Sequence, residues 1–415
     1  MARKMKDSGI EWIGEIPEGW EVVPVKRLCT MQAGKNLASE QIAPEGTYPV
    51  YGGNGIRGFF SDYNCVGQFL TVGRQGALCG NVHKINGKVW ATEHAVITTP
   101  SSYAILDFLY YLLIGMDLNQ YVSSTAAQPG LAVGTLLNLK TCYPCSILEQ
   151  TQISNYLNAK CSEINIMLSK TRSSIEEYKK LKQAVITQAV TKGVRGEREM
   201  KNSKIEWVGN IPIDWNTIKL KYCTYIRARL GWKALKADEY VEIGFPFLSA
   251  FNIVNNTLQF TNLNYINQFR YDESPEIQLS NGDVLLVKDG AGIGKCAIVE
   301  NMPMPSTVNG SIAVVSVTNS LIPKYLYYYF LSKMFQQHID LLKDGMGVPH
   351  LFQSDLKEIK IAFPSKDEQK EIADYLDGKC AEIDKLIAKK EQLVKELENY
   401  KKSLIYEVVT GKREV

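Results

Sequence analysis

Two long segments of the chain, 147–191 and 366–410, carry apolar residues at the spacing of paired helices. Counting forward from Leu157 and from Leu376 in alternate steps of four and three residues gives ten positions in each segment. Eight of the ten positions are apolar in each. Such a seam between charged flanks is typical of a coiled coil. The predicted seam residues are Leu157, Cys161, Ile164, Leu168, Ile175 and Tyr178 in the first helix, and Leu376, Cys380, Ile383, Ile387, Val394 and Leu397 in the second.

The part of the chain before each long helix has a different pattern. Short β-like runs such as "QFLTVG" and "DVLLVK" alternate with Gly, Asn and Pro turns, and a compact apolar helix is predicted after them at 105–116 and at 323–334. We therefore expect an α+β fold with two globular heads, each followed by a long helix.

Two pairs of similar segments indicate an internal repeat. The segment "IEWIGEIPEGW" at 10–20 returns as "IEWVGNIPIDW" at 205–215, and "EQTQISNYLNAKCSEI" at 149–164 returns as "EQKEIADYLDGKCAEI" at 368–383. Self-similarity of this extent predicts two tandem copies of one unit. The predicted divisions are a first head at 1–146, a first helix at 147–192, a linker at 193–203, a second head at 204–365 and a second helix at 366–412.

A lone helix of this length, about 65 Å at 1.5 Å per residue, would leave its apolar stripe exposed. A complete head separates the two helices along the chain, so antiparallel pairing is geometrically simple. We expect a pseudo-twofold dumbbell in which a coiled-coil spacer separates the heads. The repeated tryptophans, Trp12, Trp20, Trp207 and Trp215, are expected to pack inside each head, because heads of different preference would not share a base-binding residue.

Composition narrows the class of protein only in part. The chain has 415 residues, 45% of them hydrophobic and 22% charged, and it contains no run of eighteen apolar residues, which predicts a cytoplasmic globular protein. Nine cysteines without a regular spacing indicate reduced thiols. A net charge of +3 is low for a protein that neutralises many phosphates alone, so a DNA partner would require localised basic loops or help from other subunits.

The two heads differ most in their loops. The first head carries "YGGNGIRGFF" and "VGRQGALCGN" where the second carries "FPFLSAFNIV" and "VKDGAGIGKC". Basic, amide and aromatic side chains on glycine-supported loops are suited to contacts with bases and phosphates.

This combination resembles the specificity subunit of Type I restriction-modification systems over nearly the whole chain. The resemblance depends on the "GEIPEGW" and "GNIPIDW" starts, the "LEQTQI" and "DEQKEI" helix entries and the "AVT" and "VVT" endings. It implies two target-recognition domains, each reading half of a bipartite, asymmetric DNA sequence. It also implies a helical spacer that docks two methylation subunits, and restriction subunits that add ATP-dependent cleavage.

Candidate DNA-contacting residues follow from the glycine-rich loops and from the resemblance. Arg74 is suited to guanine, Gln75 to adenine and Asp289 to cytosine, although the bases read are not assigned. The aligned repeats set Glu93 and His94 opposite Asn309 and Gly310. The complete set is Lys35, Asn54, Arg57, Arg74, Gln75, His94, Arg227, Arg229, Lys233, Lys288, Asp289 and Asn309.

Other motifs have plainer interpretations. The run "DGAGIGK" at 289–295 lacks the first glycine and the final Ser or Thr of a phosphate-binding loop, which favours a tight turn between strands. "CYPC" at 142–145 has no second Cys or His pair, which favours structural cysteines over a metal site. No catalytic or cofactor motif is evident, so we expect a non-catalytic subunit; the alternative is a coiled-coil adaptor whose heads bind proteins.

Overall fold

A computed structural model describes residues 3–76, 79–122, 130–228, 239–343 and 349–415. The chain divides into two compact units, Met1–Arg172 with Glu391–Val415, and Ser173–Lys390. Both units combine sheets with helices, which confirms the predicted α+β class. Among the described residues, no helix is both long and apolar enough to cross a membrane.

A six-stranded sheet dominates the first unit. All neighbouring strands are antiparallel except Tyr48–Gly52 and Val82–Ala91, which are parallel. The helix Leu106–Gly115 buries Phe108 and Leu112 in the core that this sheet shares. In order across the sheet, the strands are Cys29–Ala33, Ala95–Pro100, Cys65–Gly73, Val82–Ala91, Tyr48–Gly52 and Gly55–Phe60.

Smaller elements complete the first head. One antiparallel strand pair lies at the start of the head, a second joins its start to its end, and the remaining helices are short. The strand pairs are Met5–Asp7 with Glu15–Pro17 and Trp20–Pro24 with Lys140–Pro144; the short helices are Val25–Leu28, Ser39–Gln41, Leu118–Tyr121 and Val133–Asn138.

The second unit has a four-stranded antiparallel sheet and a three-stranded mixed sheet. The first is ordered Thr224–Arg227, Ile312–Val317, Val284–Val287 and Cys296–Ile298, and the second Asn264–Ile266, Phe245–Leu248 and Thr307–Val308. The strand pairs of this unit are Met200–Asn202 with Asn210–Pro212, Asn216–Lys219 with Lys360–Phe363, and Ile253–Val254 with Thr257–Leu258.

The apolar stretch predicted at 323–334 is divided between two helices, Pro323–Leu331 and Lys333–Leu342. Ser332 causes the break, because its backbone is extended and its hydroxyl accepts a hydrogen bond from the Phe335 N–H (3.4 Å), which caps the second helix. The other short helices of this unit are Leu220–Tyr222, Ala250–Asn252, Gln268–Asp272, Pro275–Ile277, Gly290–Gly292 and Gln353–Glu358.

The two long helices extend over Ile147–Lys192 and Lys366–Val409. Of the predicted seam residues, Tyr178, Ile387, Val394 and Leu397 are half-buried. The remaining eight are buried: Leu157, Cys161, Ile164, Leu168, Ile175, Leu376, Cys380 and Ile383.

Within each unit, the two helix segments run antiparallel. In the first unit, Arg172 pairs with Glu398 and the Lys401 ammonium donates to Asn165 (2.8 Å). In the second unit, the Lys182 ammonium lies 2.6 Å from an Asp384 carboxylate oxygen. There the Lys390 ammonium lies 5.7 Å from the centre of the Tyr178 ring. In both units, residue numbers rise along one helix as they fall along the other.

The repeated tryptophan segment packs against the start of a long helix in both units. Trp20 and Trp215 are fully buried. Their indole N–H groups donate to Glu149 (3.0 Å) and to Glu368 (2.9 Å), which lie in the first turns of the long helices. The packing role predicted for these tryptophans is therefore confirmed.

An arginine binds each of these carboxylates as well, Arg3 in the first unit and Arg198 in the second. The two sites differ in burial: the Glu149 side chain is 29% exposed, and that of Glu368 is 1% exposed. The second carboxylate therefore depends more strongly on its partners, since a buried charge without them is costly.

Replacing Glu368 with Ala should lower the free energy of unfolding by about 3 kcal/mol, because the Trp215 N–H and the Arg198 guanidinium would lose their shared acceptor in a buried site. The matched variant Glu149→Ala should lose only about 1 kcal/mol, since water reaches that site. Denaturant unfolding followed by tryptophan fluorescence checks both values. Equal losses would contradict the difference in burial.

Candidate nucleic-acid interface

Strand ends and turns bring four predicted residues of the first head together. Arg74 and Gln75 follow the strand Cys65–Gly73, His94 lies in the turn before Ala95–Pro100, and Asn54 lies in a two-residue turn. The Arg74 N–H donates to the His94 carbonyl (2.8 Å). Asn54, Arg74, Gln75 and His94 form the first-head loop cluster.

A glycine is required beside this cluster. A Cβ atom at Gly53 would lie 2.7 Å from the Gln75 carbonyl oxygen and 3.5 Å from that of His94. The backbone of the turn can therefore approach the neighbouring loops only when residue 53 has no side chain.

The side chains of the cluster differ in how they are bound. Asn54 is exposed, and its carbonyl oxygen accepts a hydrogen bond from the Asn81 amide (2.8 Å). Arg74 is half-buried and its Nε donates to the Leu131 carbonyl (3.2 Å). His94 Nε2 lies 3.0 Å from a Glu93 carboxylate oxygen. The cluster thus presents amide, guanidinium and imidazole groups on loops at strand ends.

His83 adjoins the turn that carries Asn54 without adding positive charge to it at neutral pH. A Cβ atom at Gly55 would lie 3.4 Å from its ring. Burial lowers the pKa of the His83 imidazole from 6.5. The neutral ring is therefore the form that predominates at pH 7.

Lys35 and Arg57 lie on strands and loops beside the cluster, and both are exposed. The Lys35 N–H donates to the Ala91 carbonyl (3.0 Å), and the Lys35 carbonyl accepts from the Trp90 indole (3.2 Å). The Arg57 side chain folds over Gly52, where a Cβ atom would lie 2.4 Å from its Cδ.

The second head builds its loops with the same main-chain hydrogen bonds. The Lys288 N–H donates to the Ser311 carbonyl (2.8 Å), as Arg74 does to His94. The Asn309 N–H donates to the Leu248 carbonyl (2.8 Å). In the first head, the Thr92 N–H donates to the Tyr51 carbonyl (2.9 Å) in the same way.

These bonds correct the alignment made from the sequence. His94 corresponds to Ser311 and Thr92 to Asn309, so setting His94 opposite Gly310 was wrong by one residue. The strand register requires this correction, because Gly73 pairs with Ala95 and Val287 pairs with Ile312.

The predicted polar residues of the second head are bound within their own loops. Lys288 is 8% exposed, and its ammonium lies 2.7 Å from an Asp289 carboxylate oxygen. The other Asp289 oxygen contacts His350 Nδ1. The Asn309 side-chain oxygen Oδ1 accepts a hydrogen bond from the Ser311 hydroxyl (2.6 Å). These contacts hold the loop in one shape.

Arg227 is bound inside the second head. Its guanidinium donates to Asp283 (3.0 Å) and to the Ser316 hydroxyl (2.8 Å). It also donates to the carbonyls of Glu276 and Gln278 (3.2 and 3.3 Å). Asp283 is 3% exposed, so Arg227 compensates a buried charge. Arg229 and Lys233 lie outside the described residues.

One exposed residue of this region was missed in the sequence. Phe251 follows Leu248 by three residues, as Asn54 follows Tyr51, and its side chain is 93% exposed. Aligning "LSAFN" with "YGGNG" would have set Phe251 opposite Asn54.

The run 289–295 connects the antiparallel strands Val284–Val287 and Cys296–Ile298 through the helical turn Gly290–Gly292. The predicted tight turn between strands is therefore confirmed. All nine cysteines are unpaired thiols. In "CYPC", Cys145 is exposed, whereas Cys142 is buried and burial raises the pKa of its thiol to about 12. Among the described residues, no three His, Cys, Asp or Glu side chains could together hold a metal ion.

Two heads with equivalent loops and unlike side chains define a two-headed recognition protein. A family model described as the type I restriction modification DNA specificity domain matches residues 17–177 and 212–399. The chain belongs to this family and carries two copies of its domain. The resemblance identified from the sequence is thereby confirmed.

Individual relatives agree with the family. The EcoprrI specificity subunit of Escherichia coli is 43% identical over 135 residues, which are 32% of this chain and 33% of that protein. The MjaVIII specificity subunit of Methanocaldococcus jannaschii is 25% identical over an alignment covering 96% of this chain and 93% of that protein.

A solved structure on complex assembly and conformational transition of the type I R-M system includes a chain of similar fold. Its TM-score is 0.71 at 15% identity, and the match covers 96% of this chain and 99% of that one. This likeness shows a shared fold.

Replacing Arg227 with Ala should lower the free energy of unfolding by about 2 kcal/mol, because the buried Asp283 carboxylate would lose its charged partner. Arg57→Ala, at an exposed position, should change it by less than about 0.5 kcal/mol. Thermal denaturation of the two variants checks this contrast. A neutral effect of Arg227→Ala would mean that its contacts add nothing to the fold.

Proposed function

We propose that this chain is the DNA-specificity subunit of a type I restriction-modification complex. Each head, 1–146 and 204–365, reads one half of a bipartite target. One observation carries this proposal: the heads hold their loops with equivalent main-chain bonds, yet place different side chains on them. Arg74 and Lys288 each come directly after a strand, and Asn54 and Phe251 each lie three residues after the strand residue, Tyr51 or Leu248, whose carbonyl accepts the equivalent bond.

The difference between the heads accounts for an asymmetric target. Base edges in the major groove present distinct patterns of donors, acceptors and methyl groups, so unlike side chains select unlike bases. The first head exposes the amide of Asn54 and the guanidinium of Arg57, which suit base edges that present hydrogen-bond donors and acceptors. The second head binds its polar side chains within its loops and exposes Phe251. This arrangement suits a different pattern of groups on the base edges.

The long helices act as the spacer between the two half-sequences and as the docking surface for two methylation subunits. Support comes from apolar side chains that the helices leave exposed. On the first helix these include Leu148, 70% exposed, with Ile166 and Met167, each 52% exposed. On the second they include Leu393, 43% exposed, and Tyr400, 49% exposed. Where such side chains form a contiguous patch, they mark a contact site for another protein.

Methylation and cleavage belong to the partner polypeptides in this proposal, and restriction subunits join in the full complex. The chain itself recognises DNA and holds the catalytic subunits on it. An adaptor with protein-binding heads would not need a DNA-specificity domain in both copies, so the family match favours DNA as the ligand of the heads.

Exchanging residues 21–128 for the same region of a relative should change one half of the recognised sequence and leave the other half intact, because each head reads independently. Mapping methylated sites in cells that carry the hybrid and its methylation subunit measures this. The matched control is the corresponding exchange in the second head, which should change the other half only. A change in both halves after one exchange would rule out separate reading.

Inserting four residues near position 170 adds about 6 Å of helix and should alter the gap between the half-sequences, with both half-sequences unchanged. The same methylation mapping measures the gap. Replacing the exposed Ser169 and Lys170 with Ala, without change of length, is the control and should leave the gap as it was. An unaltered gap after the insertion would show that the helices do not set it.

A further inference from the structure

Phe251 is an aromatic side chain exposed on a rigid turn. Its side chain is 93% exposed, although apolar side chains of this size gain about 1.5–3 kcal/mol when buried. The turn around it is the helical turn Ala250–Asn252, which follows the strand Phe245–Leu248. The position is therefore defined by structure and leaves a large apolar group in water.

The turn is fixed by a reciprocal pair of hydrogen bonds. The Ser249 hydroxyl accepts from the Phe251 N–H (3.3 Å), and the Asn252 side-chain oxygen Oδ1 accepts from the Ser249 N–H (3.0 Å). The Asn252 amide also donates to the Thr261 carbonyl (3.3 Å). Such a capping box restricts the backbone, so Phe251 is held out before any partner arrives.

Phe251 adjoins the loops that correspond to the first-head loop cluster. The Leu248 carbonyl, three residues before it, accepts from the Asn309 N–H (2.8 Å). The Ala250 Cβ lies 3.8 Å from where a Cβ atom of Gly292 would be, so the turn packs on the glycine-rich loop. Phe251 therefore lies at the second-head position where the first head presents Asn54.

We propose that Phe251 determines specificity in the second half-site by packing on the methyl group of a thymine in the major groove. This rests on the proposed function, because it requires the second head to read DNA. The inference adds a residue that the glycine-loop pattern did not reveal, and a base group that it recognises.

The thymine methyl is the apolar group that base edges present in the major groove, and Phe is among the side chains suited to it. Insertion of the ring between base pairs is the competing mode. Insertion unstacks a step at a cost of a few kcal/mol and is typical of proteins that bind the minor groove. The major-groove contact is therefore favoured.

The test uses the full chain with its methylation subunit and a duplex containing the target mapped in cells. Each thymine of the second half-site is replaced in turn by deoxyuridine, which removes only the methyl group. One such replacement should weaken binding by about fourfold, the effect of one buried methyl group. Phe251→Ala should weaken binding to the unmodified duplex by at least the same factor. The variant should then bind the deoxyuridine duplex and the unmodified duplex with equal affinity.

Phe269→Ala is the matched control. Phe269 lies in the same head and is 71% exposed, and its replacement should leave binding and the deoxyuridine effect unchanged. Deoxyuridine in the first half-site should act independently of Phe251→Ala. Binding is measured by fluorescence anisotropy at one fixed salt concentration, since affinity for DNA varies steeply with salt.

The methyl contact would be overturned if every deoxyuridine weakened the binding of Phe251→Ala by the same factor as it weakens that of the wild-type chain. It would also be overturned if Phe251→Ala bound the unmodified duplex as tightly as the wild-type chain does. Increased 2-aminopurine fluorescence at one step with the wild-type chain, absent with Phe251→Ala, would establish insertion in its place. If the wild-type complex binds no bipartite target, the proposed function itself fails. A normal bipartite target without any coupling refutes only the role of Phe251.

Discussion

A carboxylate in the first turn of each long helix holds the helix to its head. Glu149 and Glu368 each accept from a buried tryptophan and an arginine, and negative charge is also favoured at a helix N-terminus. The next residue of each helix, a glutamine, adds two more hydrogen bonds. The Gln150 side-chain amide donates to the Tyr103 and Pro144 carbonyls, and that of Gln369 donates to the Ser320 and Pro364 carbonyls. Both glutamines are fully buried, so each helix start is fixed to the turns around it.

Features that depend on local pattern or on duplication were predictable from the sequence. The long helices begin at the expected residues and end within three residues of the expected bounds, because a continuous apolar stripe indicates their extent. The burial of Trp20 and Trp215 followed from their repetition in two heads that differ elsewhere. The break at Ser332 was missed, since a serine hydroxyl can start a helix inside an otherwise continuous apolar run.

The roles of individual loop residues were less predictable, because they depend on contacts between distant parts of the chain. Arg227 was interpreted as a candidate DNA contact, yet its partner Asp283 is 56 residues away and buried. Lys288 is held by Asp289, and Asp289 in turn contacts His350 from a later segment. The repeat alignment was displaced by one residue because strand register, which sets the true correspondence, is not visible in loops of different length.

The hydrogen bonds that hold the candidate recognition loops at their bases join main-chain atoms. Arg74 to His94, Lys288 to Ser311, Thr92 to Tyr51 and Asn309 to Leu248 are all N–H to carbonyl bonds. Because such bonds form with almost any residue type, the exposed side chains of these loops can mutate at little cost to folding. Stability therefore places little restraint on how far the exposed side chains of the two heads diverge.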